Sequence, residues 1–157
     1  MLMQFQNHLT SENIYLWVNI GIVPFWLLLT FLPNSKFTGF FINSIILPII
    51  LSSAYIYAIY QAILLGENML GIFELYLSLE NLYTVFATES FLLIFWLHFL
   101  ALNLFLGSWI SRDSIKYYMP RSVTIISLIL VYFVGPIGLI FYWIFRIFLA
   151  KRLSLHD

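Results

Sequence analysis

Four apolar blocks alternate with polar connectors along the chain. They fall at about Ile14–Leu32, Phe40–Leu65, Ser90–Ile110 and Val123–Ala150. Each can supply the ~20 apolar residues that one membrane-crossing helix requires. The pattern predicts an all-α fold: an integral membrane four-helix bundle, with the whole chain, residues 1–157, as one transmembrane domain. Pro33-Asn34-Ser35-Lys36 reads as a turn between spans one and two, and residues 111–116, Ser-Arg-Asp-Ser-Ile-Lys, join spans three and four. The connector Gly66–Thr88 is longer and carries Glu67, Glu74 and Glu80. Within it, SLENLYTVFATES predicts a short interfacial helix with Ser78 as its N-cap.

Each block carries polar or small residues at helical spacing. Asn19, Trp26, Thr30 and Pro33 share one face of span one, and Ser44, Pro48, Ser52 and Tyr55 share one face of span two. Tyr132, Gly135, Leu139, Tyr142 and Arg146 form a stripe on span four. Close packing of helices through small residues produces such stripes, and so does a ligand groove. Span three differs: Glu89, Trp96, Asn103 and Gly107 lie on one face and His98 roughly opposite. Polar groups on both faces predict protein or ligand on both, with His98 near mid-membrane within hydrogen-bond reach of another span or lining a groove. Imidazole there either donates to a neighbouring carbonyl or carries a proton. In VGPIGL, Pro136 removes a helical hydrogen bond to Tyr132, predicting a kink of more than ~20° in one continuous span four. Gly135 and Gly138 clear space beside it, either for packing or for a flat ligand.

Composition supports the membrane reading and narrows the chemistry. Hydrophobic types make up 62% of the chain and charged types 9%, too few charges to coat a soluble surface. The absence of cysteine excludes disulfides, thiolate catalysis and thiolate metal sites. Three dispersed histidines, His8, His98 and His156, do not suit a metal cage, so no metal is expected. Seven Lys+Arg balance seven Asp+Glu, which argues against nucleic acid as a partner. Aromatics form 20% of the residues, serving as interfacial belts or as the lining for a flat apolar ligand. The N-terminus has no basic region of a signal peptide, so span one is expected to be retained. Four spans would put both termini on one side. That leaves Arg146, Lys151 and Arg152 there and Lys36, Arg112, Lys116 and Arg121 on the other, which hardly discriminates an orientation. The two short loops are assigned to the cytoplasmic type of face.

The run from Ser78 to Asp113, followed by VGPIGLIFY, resembles the neoxanthin-synthase-like family of the abscisic-acid-deficient type, found in plants and algae with bacterial relatives. The similarity runs from about Asn19 to Arg146. Its specific part is Trp96-x-His98, Asn103-Leu104-Phe105, Gly107, Trp109, Asp113, Gly135-Pro136 and Gly138-Leu139, with Asn19, Trp26 and Pro33 upstream. Where the family usually has Asp-Leu-Phe this chain has Asn103, and where relatives often have a proline it has Ile126.

The resemblance implies conversion of an epoxy-xanthophyll to neoxanthin, an intramolecular isomerisation with no redox cofactor. Epoxide opening needs a general acid at oxygen, and allene formation needs a base. His98, Glu89 and Glu80 are the candidate catalytic groups. Asn103, Trp96, Trp109, Arg112, Asp113, Gly135, Pro136, Gly138, Tyr142, Asn19 and Trp26 are the candidate ligand-binding residues. Carotenoid enters as substrate or bound pigment, and no other cofactor is expected. The bilayer, a larger pigment–protein complex or a second copy are the expected partners. The thylakoid, the plastid envelope or a bacterial plasma membrane is the expected location. A non-catalytic pigment-binding subunit is the alternative, which Asn103 in place of Asp favours. An unrelated assembly factor or transporter subunit is the third reading.

Overall fold

The structure, a computed structural model, describes residues 10–44, 46–67 and 69–151, with the side chains of Pro48 and of residues 69–72 excepted. His8, His156 and Arg152 lie outside the described residues, as does the Pro48 side chain of the span-two stripe. The described residues form helices joined by turns: α1 Ser11–Phe31, α2 Lys36–Phe41, α3 Ile46–Leu64, a 3-10 helix Met69–Tyr76, α4 Leu79–Phe86, α5 Glu89–Lys116, α6 Arg121–Val134 and α7 Pro136–Ala150. The all-α expectation therefore holds. Among the described residues, two helices, α1 with 21 residues and α5 with 28, are long and apolar enough to cross a membrane.

Contacts divide the chain into two compact units. The first takes residues up to Gly21 and Ile49–Phe99. Its core joins Ile14, Ala58, Ala62, Leu93, Ile94 and Leu97. Small Ala58 and Ala62 are spaced one turn apart on α3, which lets branched side chains approach its backbone. In the connector, the Ser78 hydroxyl accepts from the Asn81 amide at 3.1 Å, so the N-cap and the short helix predicted there are both present. α4 turns Leu79, Leu82 and Tyr83 outwards, as an interfacial helix requires.

The second unit takes Ile22–Pro48 and residues from Leu100 onward. Pro33-Asn34-Ser35 turns α1 into α2. Buried Thr38 fastens the turn by donating to the Leu32 carbonyl at 2.6 Å, and the Ser35 hydroxyl accepts from the Thr38 amide at 3.1 Å.

Span four requires correction. Residues 123–150 are not one kinked helix: α6 and α7 meet at Gly135, where φ is 55° and ψ is −93°. A side chain makes this backbone conformation costly, and glycine adopts it without penalty. Pro136 then starts α7, where its missing amide hydrogen costs nothing because first-turn amides have no helical partner. The chain turns back on itself. A Cβ on Gly138 would lie 2.7 Å from the Ser127 carbonyl and collide with the Val131 backbone nitrogen, so the two helices touch through main chain. Their contacting faces are read easily: Val123, Thr124, Ser127, Leu128 and Val131 are buried on α6, and Gly138, Tyr142 and Arg146 on α7. At ~1.5 Å per residue, the 14 residues of α6 and the 15 of α7 give helices of only ~21–22 Å, short of a ~30 Å hydrocarbon core. A helical hairpin thus stands where one fourth span was expected.

Candidate functional site

The hairpin brings the end of α7 to the end of α5. The Asp113 carboxylate accepts from the Tyr142 hydroxyl at 2.7 Å, from Arg146 Nε at 2.7 Å and from Arg146 Nη2 at 3.2 Å. Tyr142 and Arg146 are completely buried and Asp113 nearly so. The Arg146 guanidinium also lies 4.8 Å from the Tyr117 ring centre. Tyr142 and Arg146 reach one carboxylate because they are four residues apart, one above the other on α7. A buried carboxylate is tolerated when it is paired and hydrogen-bonded, as this one is.

Next to this cluster lies an apolar groove of about 620 Å³ between α5 and α7. Phe105, Leu106, Trp109, Leu139, Ile140, Trp143, Ile144 and Ile147 line it. The Trp109 ring meets Tyr142 edge-on at 5.8 Å, so one wall of the groove rests on the polar cluster. Arg112, in the turn after Trp109, is exposed.

Asn103 and Gly135 also meet. Asn103 is buried, and a Cβ on Gly135 would stand 2.6 Å from its Oδ1. Its Nδ2 is buried without a hydrogen-bond partner among the described residues. Pro136 is exposed. Trp26 packs on the bare backbone of Gly107, where a Cβ would come within 2.8 Å of the indole, and meets Tyr132 edge-on at 5.4 Å. Ser108 donates to Asn43 Oδ1 at 2.7 Å, a contact that the sequence pattern did not single out.

In the first unit, Trp96 Nε1 donates to Asn19 Oδ1 at 3.1 Å, while Asn19 Nδ2 donates to its own helix at the Tyr15 carbonyl, 2.6 Å away. The indole stacks on Phe99 at 5.3 Å and tilts against Tyr15 at 5.8 Å. A pocket of about 420 Å³ is formed by Trp96 and Tyr15 with Glu12 and Glu89. Glu80 lies in a separate apolar depression on α4. His98 is exposed, and its ring centre is 6.3 Å from that of Tyr55. No hydrogen bond ties it to another helix among the described residues, contrary to the expectation for an intramembrane histidine.

The residues predicted for binding therefore fall into small clusters: Trp109, Asp113 and Tyr142; Asn103 with Gly135; Trp26 with its neighbours; and Asn19 with Trp96. The predicted catalytic groups are not drawn together: Glu89 and Glu80 line different pockets, and His98 lines neither. Arg146 and Trp143 were not among the predicted site residues. The signal for Arg146 was present in its four-residue spacing from Tyr142, but it becomes meaningful only once Gly135 reverses the chain.

No curated protein and no solved structure matches the chain. A family model described as ABA DEFICIENT 4-like matches residues 13–142, which takes in α5, α6, the Gly135 turn and α7 as far as Tyr142. With most of its length covered, from α1 to the hairpin, the chain belongs to the ABA DEFICIENT 4-like family.

Proposed function

We propose that this protein is a membrane-embedded member of its family that holds a carotenoid or xanthophyll in the groove between α5 and α7. The observation that carries the reading is the groove itself: an apolar surface with two indole walls, one of which rests on Tyr142 of the buried Asp113 cluster. A flat polyene dissolved in the bilayer suits such a lining, because aromatic faces supply contact area with little loss of side-chain freedom. Asp113 shapes this wall by holding Tyr142, and exposed Arg112 remains available to an oxygenated ring. The thylakoid, the plastid envelope or a bacterial plasma membrane would supply the pigment. Assembly with a larger pigment–protein complex or a second copy belongs to the same reading.

Isomerisation of an epoxy-xanthophyll is the second reading, and family membership favours it. His98, Glu89 and Glu80 are its acid–base candidates. All three are exposed, so a bound substrate would have to bring them into play.

The test is expression in a carotenoid-producing host, purification, and identification of co-purifying pigment by absorption and mass. Binding predicts a stoichiometric pigment that is lost on filling the groove with Ile144→Trp. A purified protein without pigment would refute it. Isomerisation predicts loss of an epoxy-xanthophyll and gain of its allenic isomer in the same host. Asn103→Asp, which restores the carboxylate usual in the family, should increase that conversion. A fully active His98→Gln variant would exclude His98 as the proton carrier, since glutamine keeps a hydrogen bond but does not titrate near neutrality.

A further inference from the structure

All seven Lys and Arg of the chain lie from Lys36 onward, and none occurs between Lys36 and Arg112. Five of the seven acids precede Gly107, from Glu12 to Glu89. α1 opens with Glu12 in its first turn, whereas α5 opens with Glu89 and closes with Lys116. Within the second unit, contacts fix where the basic residues emerge. Arg121 Nη2 donates to the Phe31 carbonyl at 3.1 Å, which puts the end of α1 beside the start of α6. Arg146 on Asp113 puts the end of α7 at that same level. The ends of α1, α5 and α7 thus share one side.

We infer that α6 and α7 enter the membrane as a re-entrant hairpin, presenting a basic end of the second unit to the anionic headgroups of the leaflet on the insertion side. Lys36, Arg112, Lys116, Arg121 and Lys151 are exposed on that end. Short basic loops are retained on the side of insertion, and each nearby Lys or Arg gains from an anionic surface. Arg146 is withdrawn from this set because Asp113 neutralises it. The arrangement places residue 151 on the same side as Lys36 and Tyr118, in place of a fourth span that would separate them. It rests on the membrane reading given above.

The chain has no cysteine, so single-cysteine variants report sidedness directly. Tyr118→Cys and Lys151→Cys place thiols at exposed positions. In sealed membrane vesicles of one orientation, a membrane-impermeant maleimide is expected to label positions 118 and 151 from the same side. Labelling of position 151 only from the side opposite to 118 would overturn the inference and restore a fourth crossing. Release of the protein by alkaline carbonate would instead remove the membrane reading beneath it. For the headgroups, the protein is reconstituted in phosphatidylcholine with and without phosphatidylglycerol. The anionic lipid is expected to raise the unfolding temperature of the natural chain, and to raise it less for an Arg112→Gln/Lys116→Gln variant. Equal shifts would overturn the headgroup contact.

Discussion

Arg146 meets Asp113 across 33 residues of sequence, with Nε 2.7 Å from Oδ2 and Nη2 3.2 Å from Oδ1. Both side chains are buried, so each depends on the other for compensation of its charge. Removing one partner of such a pair costs ~3–5 kcal/mol, whereas replacing both by apolar groups of similar size is often neutral. Arg146→Met alone and Asp113→Leu alone should therefore lower the unfolding temperature in detergent and reduce accumulation. The double variant should recover most of the loss. If the double variant is as unstable as the sum of the singles, the pair does not act as a unit.

Tyr142→Phe is a milder probe of the same cluster. It removes one hydrogen bond to a carboxylate, worth ~1.5–3 kcal/mol, and keeps the ring against Trp109. Stability should fall by less than in Arg146→Met, and any bound pigment should be retained. Tyr142→Ala, by contrast, takes away the support of Trp109 and should release it. Pigment per protein and the unfolding temperature, measured together, separate the two effects.

The hairpin rests on two glycines for different reasons. Gly138→Leu forces a side chain into the backbone of Val131 and Ser127, and overpacking of this kind costs ~1–3 kcal/mol or more. Leu139→Ile, at the neighbouring position, keeps side-chain volume and should be nearly silent. Gly135→Ala meets both an unfavourable φ and the Asn103 oxygen 2.6 Å away. Thermal unfolding of the three variants should rank Leu139→Ile well above both glycine replacements.

His98→Ala should leave stability almost unchanged, because the side chain is exposed and gives up no hydrogen bond among the described residues. Surface substitutions of this kind are usually within ~0.5 kcal/mol. A marked fall in accumulation would show that His98 is covered in the membrane by another molecule.

The legible parts of the fold were those set locally. Apolar runs marked α1 and α5, and Ser78, with its side chain free to reach the Asn81 amide, marked the start of α4. Residues 123–150 misled because the apolar run is as long as one span, and composition does not reveal that Gly135 takes a positive φ. A proline can kink a helix or begin one, and the preceding glycine decides which. Everything that depends on the reversal was equally hidden, including the pairing of Arg146 with Asp113. Asn19 and Trp96 were legible as residues on their own helices, while the bond between them is a matter of tertiary packing. For His98 the sequence predicts protein or ligand at its face; the structure places its ring 6.3 Å from that of Tyr55, with no hydrogen bond to another helix among the described residues.

The late position of Arg146 in the chain has a consequence for biosynthesis. Asp113 is synthesised 33 residues before the side chain that compensates it, and the single turn at Gly135 must form before the two can meet. A chain that stops before Tyr142 would leave the carboxylate in an apolar setting without Tyr142 or Arg146 as a donor, a costly state. Completion of translation and closure of the hairpin are thereby joined. An unfinished copy differs from a finished one by an uncompensated charge.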